Sequence, residues 1–133
     1  MFGHYWSKGA DNFESLEADL KGIMVFVAKH MTIEPFYGHR GAKEQNDLFE
    51  KGRSEKKYPN SKHNKHPSQA VDIQIYVGGK ATWQTSKYIQ LWHLISFYCM
   101  DNDISIRWGG NWDNDNTIID DQDLDDLMHF ELA

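Results

Sequence analysis

The sequence predicts an α+β fold, in which a small central antiparallel sheet is flanked by helices. Two long segments, 11–30 and 84–101, have the apolar content and spacing of helices. Three shorter segments have the composition of strands. With 133 residues, of which 40% are apolar, the chain is long enough to form a hydrophobic core. We therefore expect a single domain over residues 1–133.

The first half of the chain is expected to contain two helices and a polar loop. The first helix covers residues 11–30 and carries its apolar residues on one face. The stretch "EPFYGHRGAKEQNDLFEKG" contains a short extended piece, a glycine-rich turn and a second helix from about Ala42 to Lys51. Residues 53–69 are polar and contain two prolines, which indicates a loop.

The second half is expected to contain the main strands. The stretch "AVDIQIYV" (70–77) alternates and predicts a strand that ends in a Gly78-Gly79 turn. A long apolar helix follows over residues 84–101, and "ISIRWGG" predicts a strand that ends in a glycine pair. The stretch "NWDNDNTIIDDQDLDD" is an acidic loop, and "LMHFELA" is a closing strand.

Charge and composition exclude several classes of protein. The net charge of −6 argues against a general nucleic-acid-binding surface. No apolar stretch is long enough to suggest membrane insertion. The N-terminal residues show no basic region followed by an apolar run, so we expect no signal peptide. Cys99 is the only cysteine and lies in an apolar stretch, which predicts a buried thiol.

The stretch "SKHNKHPSQAVDI" (61–73) is a candidate for half of a metal site. A catalytic zinc site commonly has three protein ligands and leaves a fourth position for water. His63 in the loop, Asp72 in a strand and His129 in the last strand could supply those ligands. The alternatives are a surface histidine at 63 and a hydrogen-bonded core histidine at 129. A carboxylate on a buried strand, however, needs a partner or a metal.

Three stretches, in the same order along residues 36–132, resemble one family. "SKHNKHPSQAVDI" resembles the Ser-x-His…Ala-x-Asp signature of the zinc D-alanyl-D-alanine carboxypeptidases and L-alanyl-D-glutamate endopeptidases, in the form that phage endolysins have. "WGGNWDNDN…DDLMHFEL" is similar to the endolysin pattern Trp-Gly-Gly-Asp-Trp-Asp followed by Asp-x-x-His-Phe-Glu. "GHRGAKEQNDLFEKGRS" resembles the family's Arg-x-x-x-Glu-Gln helix.

The resemblance implies a zinc carboxypeptidase fold (the hedgehog or D-Ala-D-Ala peptidase-like fold) and a catalytic role for named residues. His63, Asp72 and His129 would be the zinc ligands. Asp126 matches the catalytic carboxylate, which takes a proton from water and delivers it to the leaving amine. Arg40 matches the arginine that stabilises the oxyanion or holds a substrate carbonyl.

Further positions match residues that support the substrate or the site. Gln45 and Ser61 match hydrogen-bonding positions of the family, and Trp112 is a candidate for a wall of the substrate groove. Trp108 is a second candidate for that wall, although core packing explains either tryptophan equally well. Gln45, Ser61 and Trp112 are therefore predicted to bind substrate or to support its binding.

Two departures from the family pattern leave alternatives open. His63 lies nine residues before Asp72, a longer interval than the family's usual one, and His66 lies six residues before it. His66 is therefore a rival ligand, although "SKHN" around His63 keeps the beginning of the motif. At Asn111, endolysin relatives usually have Asp.

The acidic loop raises calcium as a secondary hypothesis. "DNDNT" places oxygen ligands at alternating positions, as calcium loops do. An EF-hand that began at Asp113 would need Gly and Glu where this chain has Ile118 and Leu124. A solvated loop near the zinc is the simpler prediction.

The function implied by the resemblance is that of an endolysin, a zinc peptidase that cuts peptidoglycan stems and lyses the bacterial host. We expect a monomer that binds peptidoglycan, stays in the host cytoplasm until a phage holin opens the inner membrane, and then acts in the periplasm and cell wall as an antimicrobial agent. The L-Ala–D-Glu bond is the favoured target. D-Ala-D-Ala carboxypeptidase activity, a non-catalytic peptidoglycan-binding module and a structural domain are the alternatives.

Overall fold

The computed structural model describes residues 10–54, 56–110 and 126–133, and for Asp126 the backbone only. The helices are α1 (Ala10–Glu14), α2 (Ala18–Ala28), α3 (Ala42–Glu50) and α4 (Thr85–Asp101), and Lys62–Asn64 forms one turn of 3-10 helix. The strands are β1 (Ile33–Tyr37), β2 (Ala70–Val77), β3 (Lys80–Thr82), β4 (Ile106–Gly109) and β5 (Asp126–Leu132). The predicted α+β class is confirmed.

The strands form one antiparallel sheet in the order β1-β2-β5-β4. β2 lies at its centre because it pairs with β1 on one edge and with β5 and β3 on the other. Gly78 and Gly79 join β2 to β3 with φ angles of 59° and 81°, a conformation that favours glycine. The predicted turn is therefore confirmed, while the three-residue strand β3 was not predicted.

The predicted helix 11–30 is in fact two helices, and this prediction was wrong in its continuity. Between α1 and α2, the backbone pairs with Ser68 instead of continuing the helix. The Ser68 amide donates to the Ser15 carbonyl at 2.8 Å, and the Glu17 amide donates to the Ser68 carbonyl at 2.9 Å. Leu16 and Ser68 thus form an isolated parallel bridge. A tertiary contact here outweighs the helical pattern.

The hydrophobic core lies on one face of the sheet, against α2 and α4. Strand β2 contributes every second residue, namely Val71, Ile73 and Ile75, as alternation along a strand requires. The rings of Trp92, Trp108 and Phe130 stack with centroids 5.5–6.3 Å apart. Because Trp108 is fully buried, it belongs to the core and not to a groove wall.

Some predictions fall outside the described residues. Trp112, Asn111 and the predicted calcium loop lie there, as does the side chain of Asp126. Within the described residues, no helix combines the length and the hydropathy needed to cross a membrane.

Candidate metal centre

Asp72 and His129 are brought together by the register of the two central strands. Asp72 on β2 lies directly opposite His129 on β5. Val71 and Ile73, the neighbours of Asp72, face the core, so the carboxylate lies on the opposite face of the sheet. The side chains of Asp72 and His129 therefore lie on the face of the sheet opposite the helical core.

His63 reaches the same place from the 3-10 turn of the predicted loop. Its Nε2 lies 3.3 Å from Asp72 Oδ1 and 3.2 Å from His129 Nδ1, and the last two atoms are 3.1 Å apart. All three side chains are buried. A tetrahedral zinc ion with ligands at about 2.1 Å needs neighbouring ligand atoms roughly 3.4 Å apart. The observed separations are close to that requirement.

The outer nitrogen of each histidine is already bonded. His63 Nδ1 donates to the Gly38 carbonyl at 2.7 Å, and His129 Nε2 donates to Glu131 Oε1 at 2.8 Å. Each ring therefore carries its proton on the outer side, which leaves a lone pair on the inner nitrogen. With the Asp72 oxygen, three acceptors then converge. Only a cation or an added proton can satisfy such a cluster.

The Asp72 carboxyl is held in its ionised form. Burial opposes ionisation, but when His63 or His129 carries the added proton, its charge and its hydrogen bond to the carboxylate outweigh that effect. The pKa of Asp72 consequently lies well below its usual value. An ionised carboxylate is the form that binds a metal ion.

Arg40 contacts the far oxygen of the same carboxylate. Its Nη2 donates to Asp72 Oδ2 at 2.8 Å, and its Nη1 donates to Gln45 Oε1 at 3.3 Å. The guanidinium also lies 4.4 Å from the centre of the Tyr37 ring. Arg40 therefore fixes the orientation of Asp72, a contact that the sequence did not predict.

Gln45 and Ser61 support the site from within. Gln45 is completely buried on α3, and its amide nitrogen donates to Ser54 Oγ and to the Lys56 carbonyl. Ser61 caps the 3-10 turn, where its hydroxyl accepts from the His63 amide at 3.2 Å. Hydrogen bonding in support of the site is thus seen for both residues, and their predicted contact with substrate stays a prediction.

His66 does not join the cluster. It is exposed, and its ring packs edge-on against that of His39 at 5.1 Å. Within the described parts of the chain, His63, Asp72 and His129 form the only group of three such side chains that could hold a metal. Of the two candidates in the loop, the structure brings His63 to Asp72.

Glu131 is a component of the site that the sequence analysis missed. It is buried and binds His129 through one oxygen, while Lys62 and Arg107 approach the other. These contacts outweigh the effect of burial and lower the pKa of Glu131 to about 2. The spacing His129-x-Glu131 places both residues on one face of a strand, which was the available signal.

Asp126 begins β5, and its backbone pairs with Gly109 of β4. The register of this pairing is irregular between Trp108 and Gly109. Such an irregularity interrupts the alternation of a strand. On β5, the irregularity lies between Asp126 and Phe130, the partners of Gly109 and Trp108.

The comparisons with known proteins agree in fold and family. The model of a family described as phage L-alanyl-D-glutamate peptidase matches residues 7–133. The L-Ala D-Glu endopeptidase ChiX of Serratia marcescens has a similar structure, with a TM-score of 0.77 and 21% sequence identity. The match covers 95% of this chain and 86% of that one, and at this identity it establishes the fold. No curated protein sequence matches the chain.

Proposed function

This chain belongs to the family of phage L-alanyl-D-glutamate peptidases, and from that membership we propose that it is a zinc enzyme that hydrolyses the L-Ala–D-Glu bond of peptidoglycan stems. That it is a peptidase acting on peptidoglycan follows from the family itself. The metal, the bond and the roles of individual residues are the proposal.

One observation carries the metal assignment. Three buried acceptor atoms, from His63, Asp72 and His129, lie 3.1–3.3 Å from one another, and each side chain is oriented by a further hydrogen bond. Two imidazoles and one carboxylate form a donor set typical of catalytic zinc, in which a fourth position stays open. Zinc held there would act as a Lewis acid that makes water nucleophilic near neutral pH.

The chain's own residues would supply the proton transfers and hold the charges. Asp126 is proposed as the general base that accepts a proton from the attacking water and passes it to the amine of the leaving D-Glu. Its place on β5, three residues before His129 and beside the irregular register, supports this role. Its carboxylate must lie within hydrogen-bond reach of the water.

Arg40 is proposed to stabilise the negative charge that develops on the scissile carbonyl oxygen, as the resemblance implies. The guanidinium is buried next to Asp72, and its Nε has no hydrogen-bond partner within the described residues. A donor of this kind close to the ligand cluster supports the proposal. Its bond to Asp72 gives it a second task, which is to balance the charge of that ligand.

The remaining expectations belong to the same proposal. Gln45, Ser61 and Trp112 are proposed to support or bind the substrate, and residues 1–133 to form a single catalytic domain. The protein would act as a monomer, accumulate in the host cytoplasm, and reach the cell wall when a holin opens the inner membrane, which would lyse the host. A regulatory calcium ion in the acidic loop remains a secondary proposal.

The decisive experiment combines metal content with product analysis. Wild type, His63→Ala, His66→Ala and Asp126→Ala are purified without added metal, their zinc is measured, and purified stem peptides are digested and analysed by mass spectrometry. We expect one zinc in wild type and in His66→Ala, and none in His63→Ala. Asp126→Ala should keep the metal and lose activity.

The products separate the possible reactions. Release of free L-Ala-terminated and D-Glu-initiated fragments supports the endopeptidase, whereas free D-alanine would indicate the carboxypeptidase instead. Peptide binding without any cleavage by wild type would point to the non-catalytic module and contradict the proposal. In a melting assay of EDTA-treated protein, the absence of a shift on addition of calcium would count against a calcium site.

A further inference from the structure

We propose that Glu131 is a positioning residue for the metal centre, which holds His129 in its ligand form and connects it to the segment that carries His63. This inference rests on the proposed metal site. It adds to the three ligands a further side chain, that of Glu131, on which metal binding depends. The Glu131 carboxylate is not among those three ligands.

Glu131 contacts the proposed ligand His129 directly. The two residues are separated by one position on β5, so their side chains leave the same face of the sheet. His129 Nε2 donates to Glu131 Oε1 at 2.8 Å, and Glu131 is only 3% exposed. This bond keeps the proton on Nε2 and directs the lone pair of Nδ1 towards Asp72 and His63. A carboxylate in this position also makes the imidazole a stronger donor to a metal.

Two cations, Arg107 and Lys62, hold the carboxylate of Glu131. Glu131 Oε2 lies 3.3 Å from Arg107 Nη1 and 3.5 Å from Lys62 Nζ. Arg107 is on β4, directly opposite Glu131 in the sheet. Two cations from different segments thus compensate one buried carboxylate, which leaves Oε1 for the histidine.

Lys62 is the residue immediately before the proposed ligand His63. Besides approaching Glu131, its ammonium group donates to the carbonyl of Leu132. The side chain of Lys62 therefore links the 3-10 turn to β5 at two points. Since His63 and His129 belong to these two segments, the contacts of Lys62 and Glu131 set the distance between the two ligands.

A simpler role for Glu131 would be that of a structural ion pair with Lys62 and Arg107. The two roles differ in what they affect. An ion pair stabilises the fold whether or not metal is present, whereas a positioning residue changes the affinity for metal and the tautomer of His129. The test must therefore measure both properties separately.

The experiment compares Glu131→Ala, the conservative Glu131→Gln and the control Ile95→Val, a substitution in the buried core. Zinc affinity is measured by competition with a chromophoric chelator, stability by urea denaturation of the metal-free protein, and the His129 tautomer by long-range ¹H–¹⁵N NMR. We expect Glu131→Ala to weaken zinc binding by about 10- to 100-fold and to lose the single Nε2–H tautomer. Glu131→Gln, whose amide oxygen still accepts from Nε2–H, should keep the tautomer and lose less affinity.

The control separates an effect on zinc affinity from an effect on the stability of the metal-free protein. Ile95→Val leaves the contacts of Glu131 in place and should lower metal-free stability with little change in zinc affinity. If Glu131→Ala bound zinc as tightly as wild type while losing metal-free stability, the positioning role would be refuted and the metal site would stand. If wild type itself bound no zinc, the metal site would fall and this inference with it. Should Glu131→Ala fail to fold, Glu131→Gln decides by the same two readouts.

Discussion

The two faces of strand β2 carry side chains of different chemistry on the same backbone. On one face, Val71, Ile73 and Ile75 are at most 1% exposed and pack in the apolar core. On the other face, Asp72 is also buried, yet it is surrounded by two histidines and an arginine. The side chains on both faces are buried, and the chemistry of the alternate residues separates the two faces.

Strand β5 repeats this division. Phe130 stacks with Trp108 at 6.1 Å in the core, while His129 and Glu131, its immediate neighbours, bind each other on the polar face. The difference teaches that stability and function can be assigned to alternate positions of the same two strands. Changes on the core face should lower the free energy of unfolding, and changes on the polar face should mainly alter what the protein binds.

Trp108→Ala tests the core face and should have the largest effect. Removing a fully buried aromatic side chain costs about 3–5 kcal/mol, because the lost contacts leave a cavity. Urea denaturation of the metal-free protein measures this loss. Trp83, which is 63% exposed, offers a matched control, and Trp83→Ala should stay within about 0.5 kcal/mol of wild type. Equal effects of the two substitutions would contradict the assignment of Trp108 to the core.

Removal of zinc tests the polar face. A ligand that binds only the folded state at 100 times its Kd stabilises it by about 2.7 kcal/mol. We expect this increment for wild type and for the mild core variant Ile95→Val, but not for His129→Ala. The measurement is the unfolding free energy with zinc and with EDTA. An increment that survived in His129→Ala would separate metal binding from this cluster.

Gly38→Ala should affect both the stability of the fold and the affinity for zinc. A Cβ at Gly38 would lie 2.5 Å from the Asn12 carbonyl oxygen and would also meet Ser15 Oγ. Overpacking of this kind costs about 1–3 kcal/mol. Because the Gly38 carbonyl orients His63, zinc affinity should fall as well. Both quantities are measurable by denaturation and chelator competition.

Gly41→Ala is the control for that substitution. A Cβ there meets nothing within 4 Å. As Gly41 precedes α3 as its N-cap, alanine should cost at most about 1 kcal/mol. Zinc affinity should not change. A loss of affinity in Gly41→Ala equal to that in Gly38→Ala would show that the Gly38 contact is not specific.

Cys99 should show the smallest effect, because its thiol lies in the core and serves no site. Burial, aided by the charge of Asp19, raises the pKa of Cys99 to about 11. Below that pH the thiol stays protonated, and the thiolate is the reactive form. We expect a disulfide reagent at pH 8 to modify the thiol only in urea. Rapid modification of the native protein would contradict its burial.

The fold was predictable wherever a pattern extended over enough residues. Helix α4 and strand β2 follow the periodicities of segments 84–101 and 70–77. The break between α1 and α2 was not predictable, because it depends on backbone bonds to Ser68, a residue more than fifty positions away. Strand β3 has only three residues and carries no pattern of its own.

The site was predictable in its ligands and less so in what orients them. His63, Asp72 and His129 stand at positions that the motifs mark, and the structure brings them together. The sequence favoured His63 over His66 because "SKHN" keeps the beginning of the motif, and the 3-10 turn, capped by Ser61 and Asn64, brings His63 to Asp72. The spacing His129-x-Glu131 places Glu131 on the same face of the strand as His129, but its contacts with Lys62 and Arg107 depend on the 3-10 turn and on β4, which the sequence does not bring together.

The position of β5 between β2 and β4 also bears on synthesis. β5 follows both strands in the chain, and among the described strands it is the only one that pairs with β4. A nascent chain that has not yet released residues 126–132 therefore has an incomplete sheet and lacks His129. Closure of the sheet and assembly of the ligand cluster therefore both require the same segment of the chain. Unfinished or truncated chains should then lack the complete ligand cluster and bind no zinc.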